Sequence, residues 1–270
     1  MATVLTWNVA GRVRGVAEQA AALAARAWDV VALQEVRATA LPAWRAALGY
    51  LGYKHVLAAL PPAGAPPAPE RRLGVVIASL APVEPVAMTE VPWPERYLVA
   101  RTELDGVPAE VHNLHAPLSS RADKVKVRTL EAVHAALAPP SAVARVLVGD
   151  LNTPQYESRE GEVQSFARTR TGRIRAEYGE RHDRAELLLI TGLREHGYAD
   201  AFRAVHGYAR RDRSWLYPHR KMGYRLDHIV VRGLDVAACE YEHGWRDAGL
   251  SDHAAMWADL SAPAAAAERA

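Results

Sequence analysis

Five apolar, strand-like segments of this sequence each end in a polar side chain that could bind a metal ion or a phosphate. These side chains are Asn8, Glu35, His115, Asp150 with Asn152, and Asp252 with His253. Asn and Asp are favoured where strands turn into loops, so any single one has a structural explanation. Glu35 and Asp150 directly follow fully apolar runs that suit central strands, where an unpaired carboxylate needs a partner or a metal. The five strand ends therefore predict one site.

The side-chain types indicate which metal such a site would hold. Carboxylates and carboxamides, without cysteine or a His-x-x-x-His pair, form a hard, oxygen-rich ligand set that fits Mg²⁺ or Mn²⁺ better than zinc. Phosphodiester hydrolysis places negative charge on oxygens in the transition state. A divalent cation and a cationic imidazole directed at those oxygens stabilise that state. These residue types suit metal-dependent hydrolysis of a phosphoester.

Hydrophobic patterning predicts the elements that position these groups. Strands are expected at residues 3–8, 29–33, 73–78, 97–104, 107–114, 143–148, 214–216, 226–231 and 236–241, with a last strand after 251–253. Helices are expected at residues 17–27, 121–137 and 183–196. The first strand, helix and strand have the size of a βαβ unit. Residues 153–182 are rich in arginine and poor in apolar side chains, which predicts an exposed insertion.

Composition excludes several classes of protein. The chain has 270 residues, 50% hydrophobic residues and a formal charge of +2, which indicates a globular protein with a large core. No run approaches the ~20 apolar residues of a membrane span, and the start lacks the pattern of a secretory signal. A single cysteine, Cys239, cannot form an internal disulfide, so we expect a cytoplasmic protein. We expect one domain over residues 1–261, a proline-rich loop at 61–69 and a disordered tail at 262–270.

Six short motifs occur in the order found in the endonuclease/exonuclease/phosphatase superfamily, and the sequence resembles that family from Thr3 to about Leu260. The motifs are Thr6-Trp7-Asn8-Val9-Ala10-Gly11, Leu33-Gln34-Glu35-Val36, Asn113-Leu114-His115-Ala116-Pro117, Gly149-Asp150-Leu151-Asn152-Thr153-Pro154, Tyr224-Arg225-Leu226-Asp227-His228-Ile229 and Ser251-Asp252-His253. Residues 197–203 are similar to the family's G-x-x-D-x-x-R segment. Each motif alone arises easily by chance, but six in the correct order are strong evidence.

The resemblance implies an α/β fold of four α/β/β/α layers, in which two packed mixed β-sheets are flanked by helices, and metal-dependent attack of water on a phosphoester. It also implies the roles of single residues. Glu35 would be the main metal ligand, with Asn8 beside it, and Asp252 would complete the metal site. Asp150 would activate the attacking water, and Asn152 would hold a phosphate oxygen. His253 would bind the phosphate and be aligned by Asp227, and Arg225, a neighbour of the site, would bind substrate.

His115 distinguishes two branches of that family. Relatives of exonuclease III usually have tyrosine at this position, whereas relatives of deoxyribonuclease I, sphingomyelinases and deadenylases have histidine. A histidine here could protonate the leaving oxygen as a general acid. Its other ring nitrogen should need an acceptor, for which Glu70 is a candidate.

Aromatic and basic residues near the motifs suggest nucleic acid as the substrate. Trp215 and Tyr224 could flank a flipped sugar or stack on a base. Arg170 and Arg173 belong to an arginine-rich segment that could contact phosphates. Further basic residues lie near the proposed aromatic wall, at Arg210, Arg211, Arg213, Arg220 and Lys221. Together with the length of the chain, these features favour a DNA nuclease similar to exonuclease III, with no obligate protein partner evident.

Two alternatives remain open at the level of sequence. One is a phosphatase or phosphodiesterase for a lipid headgroup, an inositol phosphate or a nucleotide derivative, which the small net charge allows. The Trp-Cys-Asp-Arg type motif of inositol polyphosphate phosphatases is not present. The other is a catalytically silent binding module that keeps only the scaffold. That alternative predicts the loss of at least one chemical residue, yet every matched position holds a competent side chain.

Overall fold

The computed structural model describes residues 1–61, 71–87, 89–118, 124–217 and 222–264. Its strands are β1 (Ala2–Asn8), β2 (Val30–Arg37), β3 (His55–Ala59), β4 (Leu73–Ser79), β5 (Glu84–Pro85), β6 (Tyr97–Leu104), β7 (Val107–His115), β8 (Ala144–Asp150), β9 (Tyr156–Glu157), β10 (Val163–Gln164), β11 (Ala199–Asp200), β12 (Trp215–Leu216), β13 (Gly223–Tyr224), β14 (Asp227–Arg232), β15 (Asp235–Glu242) and β16 (Ala255–Ser261). Its α-helices are α1 (Val16–Leu23), α2 (Leu41–Tyr50), α3 (Val125–Leu137), α4 (Gly179–Leu187), α5 (Ala201–His206) and α6 (His243–Asp247). Short 3₁₀ helices lie at Ala38–Ala40, Pro94–Arg96 and Gly192–His196.

Two six-stranded sheets form the centre of the fold. Sheet 1 has the order β15-β16-β1-β2-β4-β3, and sheet 2 has the order β11-β14-β8-β7-β6-β5. Both are mixed, because β1 pairs parallel with β2, and β7 pairs parallel with β8, while the other pairs in these sheets are antiparallel. The predicted βαβ unit is therefore present as β1-α1-β2. Two small hairpins, β9-β10 and β12-β13, lie outside the sheets.

The strands are apolar on both faces because both faces are covered. Along β1, Val4 faces the core between the two sheets and Leu5 faces the core beneath α1 and α2. On the other side of the molecule, Leu130 and Val133 of α3 pack with Leu147 of β8 in a third core. The layers are thus helices, sheet 1, sheet 2 and helices, which confirms the predicted α/β/β/α sandwich.

The predicted helices are present with different bounds. The first ends at Leu23 rather than at residue 27, and the third predicted helix is divided into α4 and the 3₁₀ helix Gly192–His196. The second begins at Val125, and the earlier residues 121–123 of that prediction lie outside the described residues. None of the described helices is long and apolar enough to cross a membrane.

The prediction that residues 153–182 form an exposed insertion is wrong for much of that segment. Thr153, Ser165 and Ala167 are fully buried, and Ser165 donates a hydrogen bond of 2.6 Å to Asp183. Polar residues in this segment are buried because they have partners, which composition alone does not reveal. Of the predicted loop and tail, residues 62–69 and 265–270 lie outside the described residues.

Candidate active site

The ends of β1 and β2 bring Asn8 and Glu35 together. The two strands are parallel, and Asn8 pairs with Gln34 in the register of the sheet. The pairing of β2 with β4 shifts between Leu33 and Val36, and Glu35 has a positive φ of 59°. This bulge breaks the alternation of the strand, so that Gln34 stays fully buried and Glu35 faces the cleft. A local irregularity therefore presents the carboxylate.

The ends of β7, β8 and β14 position three further groups in sheet 2. Asp150 pairs with His115 on one side and with Asp227 on the other. A Cβ atom at Gly149, which has a φ of 132°, would lie 1.9 Å from the carbonyl oxygen of Leu114. Glycine is therefore required where β8 approaches β7 just before Asp150.

Asn8 links the polar groups of the two sheets. Its Nδ2 donates to Glu35 Oε1 at 3.2 Å and to Asp150 Oδ2 at 3.0 Å. Both carboxylate oxygens are therefore within about 6 Å of each other, close enough to contact one hydrated cation. The last motif is fixed to the same strand, because Ser251 Oγ donates to the Asn8 carbonyl at 2.6 Å and accepts from His253 N at 3.2 Å. Distant parts of the chain thus meet at one point.

His253 is held in its protonated form by two carboxylates. Its Nδ1 lies 2.7 Å from Asp227 Oδ2, and its Nε2 lies 3.8 Å from Asp150 Oδ2. Burial opposes the charge, but Asp227 and Asp150 outweigh it and raise the pKa of His253 to about 10. The imidazole is therefore cationic at neutral pH and can donate from Nε2 into the cleft.

The pKa values of the Asp150 and Glu35 carboxyl groups lie above those of ordinary surface acids. Burial raises the pKa of Asp150 to about 7, although the charge of His253 counteracts this. Burial likewise raises the pKa of Glu35, while the hydrogen bond from Asn8 lowers it. An acid with a pKa near 7 exchanges protons readily in neutral solution. Both carboxylates lack enough cationic neighbours to offset their burial, which is the condition that a bound cation relieves.

Among the described residues, Arg96 is the nearest side-chain partner of His115. Arg96 Nη1 lies 2.7 Å from His115 Nδ1 and 3.0 Å from its Nε2, which is also 3.6 Å from Glu35 and 3.8 Å from Asp150. Because a guanidinium only donates, the ring nitrogen that Arg96 contacts must accept, which a neutral imidazole can do and an imidazolium cannot. Glu70, the candidate acceptor, lies outside the described residues.

The charge state of His115 follows from this environment. Burial, together with the charges of Arg96 and His253, lowers the pKa of His115 well below its usual range. The ring is therefore neutral at neutral pH. This arrangement favours a neutral hydrogen-bond donor over the imidazolium that the predicted general acid requires.

The donor set fits a divalent metal ion. Asp150 and Asp227 place carboxylate oxygens within 4.8 Å of each other and of His253, whose protonated ring cannot itself bind a metal. The buried Asp227 Oδ1 has no hydrogen-bond partner in the described part of the chain. An unsatisfied buried carboxylate oxygen beside carboxylates of raised pKa is the chemistry expected where a hard cation binds. Glu35 and Asp252, two of the predicted metal ligands, line the same cleft.

Aromatic rings form one wall of a cleft of about 820 Å³ above these groups. Trp215 and Tyr224 pair across the β12-β13 hairpin with parallel rings whose centroids are 6.1 Å apart. Phe166 packs edge-on against Tyr224 at 4.8 Å. Trp215 Nε1 also donates to Asp252 Oδ2 at 3.2 Å. The aromatic wall is thus attached to a predicted metal ligand.

The structure separates Arg225 from the other predicted site residues. Arg225 is 4% exposed and does not line the described cleft. Its guanidinium donates to Glu157 at 2.7 Å and to Asp200 at 2.8 Å. Glu157 and Asp200 therefore accept from the guanidinium N–H groups that a substrate contact would need. These contacts indicate a structural role for Arg225 instead of the predicted substrate contact.

The two predicted phosphate-contacting arginines are at the surface. Arg170 and Arg173 are both exposed, and neither lines the described cleft. Burial raises the pKa of Tyr224 to about 12, and the charges of Arg170 and Arg175 counteract that shift. Arg170 therefore lies close enough to the aromatic wall to act on Tyr224.

Sequence reasoning missed two buried cations that line the cleft. Arg96 is 5% exposed and also lies over the ring of Trp93, at 5.4 Å from its centroid. Lys126, at the start of α3, is 2% exposed, forms an ion pair with Glu186 and donates to the Asn152 carbonyl at 2.8 Å. Lys126 had a signal in the sequence, because a lysine among the apolar positions of a helix is unusual. Arg96 had none that single-sequence reasoning could use.

The fold and this group of buried carboxylates, asparagine and histidine are those of a family of metal-dependent phosphoester hydrolases. The profile of the Endonuclease/Exonuclease/phosphatase family matches residues 5–253. The chain belongs to that family. No protein of curated function matches the sequence at a significant level.

Solved structures share the fold over nearly the whole chain. An AP endonuclease from Archaeoglobus fulgidus has a TM-score of 0.72 and 21% identity, covering 96% of this chain and 99% of that one. A variant of the 3′ phosphatase NExo from Neisseria, bound to a product DNA hairpin, has a TM-score of 0.67 and 21% identity, covering 97% and 100%. D. rerio TDP2 complexed with a single-strand DNA product has a TM-score of 0.68 and 15% identity, covering 96% and 98%. At these identities the likeness concerns the fold.

Proposed function

We propose that this protein is a divalent-metal-dependent phosphodiesterase that hydrolyses nucleic acid, with DNA as the favoured substrate. One observation carries the proposal: two buried carboxylates and a cationic histidine meet at the base of a cleft that has an aromatic wall. The first feature suits a phosphoester and the second suits a nucleobase or sugar.

The predicted roles are consistent with this geometry. Glu35, Asp252 and Asn8 would hold Mg²⁺ or Mn²⁺, which would act as a Lewis acid on the phosphate. Asp150 accepts the proton of the attacking water and is kept in place by the Asn8 amide at 3.0 Å. His253 donates to a phosphate oxygen, and Asp227 fixes its orientation and charge. Asn152, whose Nδ2 donates to Ala116 O at 2.8 Å, contributes a second amide hydrogen to the phosphate.

The lining of the cleft favours a nucleotide over a polyphosphorylated headgroup. Among the described residues that line it, the basic side chains besides the two histidines are Arg96 and Lys126. Both are buried and bonded to protein groups, so the cleft offers little to bind several phosphates at once. Trp215 and Tyr224 can instead stack on a base or flank a sugar, with Arg170 and Arg173 contacting the strand outside. Two of the similar structures hold DNA products, which supports this substrate class.

A nucleotide derivative is the second candidate substrate. The same aromatic cleft of about 820 Å³ has room for a small phosphoester that carries one planar ring. In either case we propose that residues 1–261 form one domain. The expected compartment is the cytoplasm, since the single cysteine, Cys239, is buried and unpaired.

Hydrolysis of bis-p-nitrophenyl phosphate tests the reaction class. Wild type should turn over this phosphodiester with Mg²⁺ or Mn²⁺ and lose activity with a chelator. Glu35→Ala and Asp150→Asn should each reduce kcat by at least about 100-fold, because they remove a metal ligand and the proton acceptor. Turnover without metal, or full activity of both variants, would refute the mechanism.

A panel of labelled single-stranded DNA, duplex DNA, abasic duplex, RNA, mononucleotide derivatives and phosphoinositides tests the substrate class. The salt concentration must be fixed, because electrostatic affinity for nucleic acid depends on it. We expect cleavage of DNA in preference to phosphoinositides. Cleavage of lipid substrates alone would show that the nuclease assignment is wrong, whereas cleavage of mononucleotides alone would favour the second candidate.

A further inference from the structure

A second, smaller pocket lies behind the aromatic wall of the cleft. Its volume is about 130 Å³, and its lining includes Pro154, Tyr156, Arg211 and Tyr224. Tyr224 lines both cavities, so the two cavities adjoin at strand β13. Pro154 and Tyr156 directly follow the loop that carries Asp150 and Asn152. The pocket is therefore a neighbour of the candidate active site along the surface.

Positive charge predominates around this pocket. Four arginines line it, at Arg203, Arg211, Arg213 and Arg225, against two acids, Glu157 and Asp212. Glu157 is bound by both Arg203 and Arg225, each at 2.7 Å. Asp212 lies 2.8 Å from His243 and 3.9 Å from Arg210. Glu157 is thus paired with Arg203 and Arg225, so these two arginines and this acid are bound to one another, and Arg211 adds positive charge to the lining.

Arg211 is the group that can bind a ligand there. Its guanidinium lies 5.4 Å from the centroid of the Tyr156 ring, and Nη2 donates to the Tyr156 hydroxyl at 3.1 Å. In the described part of the chain no carboxylate lies within 4 Å of it. Its charge does help to lower the pKa of the exposed Glu160, after that residue's own backbone N–H and Ser158. A guanidinium fixed on an aromatic face, with N–H groups left over, is suited to a phosphate oxygen.

We propose that this pocket binds a non-scissile phosphate of the substrate strand, with Arg211 as the principal donor. The inference rests on the proposed action on nucleic acid. A nucleic-acid strand whose base stacks on the Trp215–Tyr224 wall would continue past Tyr224 to the pocket. Its next phosphates are therefore the anions that the pocket would meet. A substrate with a single phosphodiester cannot occupy both places. The pocket therefore selects polynucleotides over small phosphoesters.

Kinetics of Arg211→Ala test this assignment. The substrates are bis-p-nitrophenyl phosphate, a dinucleoside monophosphate and a single-stranded oligonucleotide, each with saturating Mg²⁺ or Mn²⁺. We expect KM for the oligonucleotide to rise about 10-fold with kcat little changed, and both smaller substrates to be unaffected. The slope of log(kcat/KM) against log[salt] should become shallower by about 0.7, the value for one phosphate contact on a single strand. Arg184→Ala, an exposed arginine of α4 that lines neither cavity, is the matched control.

Two kinetic results would overturn the inference. One is equal behaviour of Arg211→Ala and Arg184→Ala on the oligonucleotide. The other is an equal loss on all three substrates, since that indicates an effect through the active site rather than on a remote phosphate.

Binding of a fluorescent oligonucleotide in the presence of a chelator separates this inference from the proposed function. If wild type binds the strand but does not cleave it when Mg²⁺ or Mn²⁺ is restored, and Arg211→Ala weakens binding about 10-fold, the pocket is supported and the nuclease function is wrong. If wild type neither binds nor cleaves the strand, both are wrong.

Discussion

His253 shows most clearly how the surroundings of a residue decide its chemistry, because the neighbouring Asp227 sets its charge. Both are buried, and the imidazole is charged because Asp227 and Asp150 outweigh the cost of burial. His115 lies near the same carboxylates but also against Arg96, and burial together with that cation keeps it neutral. Two histidines that both lie 3.8 Å from Asp150 therefore differ in charge: His253 is cationic and His115 is neutral.

At this scale we predict that His253→Gln reduces kcat for bis-p-nitrophenyl phosphate by about 10²–10³-fold, because a charged donor to the phosphate is lost. Asp227→Asn should reduce kcat by about 10–100-fold, since the Asp227 carboxylate acts only by orienting His253 and keeping it charged. Steady-state kinetics with saturating metal measure both effects. His55→Gln, on the edge strand β3, is the control and should have no effect. A larger loss for Asp227→Asn than for His253→Gln would contradict these roles.

Among the elements, α3, α4 and the loop after β8 are joined by one buried ion pair. Lys126 of α3 contacts Glu186 of α4, and both side chains are almost completely buried. Lys126 also donates to the Asn152 carbonyl, and Glu186 accepts from the Phe166 N–H. The pair thus connects the phosphate end of the cleft to its aromatic wall.

Removing one member of this ion pair should destabilise the fold. Lys126→Met removes the lysine from buried Glu186 and leaves His182, 3.4 Å away, beside it, so the variant should lower the free energy of unfolding by about 3–5 kcal/mol. Lys126→Met combined with Glu186→Leu should recover much of that loss, because neither charge is left unpaired. Urea denaturation measures both. Arg181→Met is the control: it removes an exposed partner of Glu131 and should lower the free energy of unfolding by less than about 1 kcal/mol. A double variant less stable than Lys126→Met would show that this account is wrong.

A second buried network connects β9, β11, α5 and the residues between β13 and β14, and it gives the protein a specific sensitivity to acid. Burial raises the pKa of Glu157, but Arg225 and Arg203 outweigh it and lower it to about 2. Because the folded-state pKa lies below the unfolded value of about 4.3, the carboxylate stabilises the fold above that pH. The stabilisation, of the order of 3 kcal/mol, is lost as the pH falls from about 4.3 to about 2.

Urea denaturation between pH 2 and pH 7 tests this sensitivity. Wild type should be more stable than Glu157→Gln at pH 7, and the difference should shrink below about pH 4.5 as Glu157 of the wild type is protonated. A difference that stays constant over this range would contradict a lowered pKa for Glu157.

At the scale of the whole molecule, the candidate site exists only where the two sheets meet. Asn8 and Glu35 come from sheet 1, and Asp150 and Asp227 come from sheet 2. Below them, Gln34 donates to Asn113 Oδ1 at 2.8 Å and so links β2 to β7. Asn113 donates in turn to the carbonyls of Leu33 and Val76 in sheet 1. The packing of the sheets therefore sets the separation of the acids.

An ion held by Glu35, Asp252 and Asn8 should stabilise the fold, because these residues come together only in the folded chain. At about 100 times its Kd, Mg²⁺ or Mn²⁺ adds about 2.7 kcal/mol, which corresponds to a rise in Tm of about 5–10 °C. Thermal denaturation with and without chelator measures the shift. Glu35→Ala should abolish it, and Glu18→Ala, an exposed acid of α1, should leave it unchanged. The same shift in Glu35→Ala as in wild type would show that Glu35 is not a ligand.

The sequence by itself determined the family, the layer architecture and the positions of the strand ends. Apolar runs with a period of two, and the order of motifs such as Leu33-Gln34-Glu35 and Gly149-Asp150, are local properties that can be read along the chain. The polar residues that end these apolar runs were therefore expected to form one site.

Only the tertiary structure decided which polar groups are partners. Arg96 with His115, Lys126 with Glu186, and Arg225 with Glu157 join residues that are 19, 60 and 68 positions apart. Motif position suggested that Arg225 contacts substrate, and no local pattern indicated that two buried acids would use its donors. The charge of a buried group depends on what lies opposite it in space, and the periodicity of a sequence carries no information about that distance.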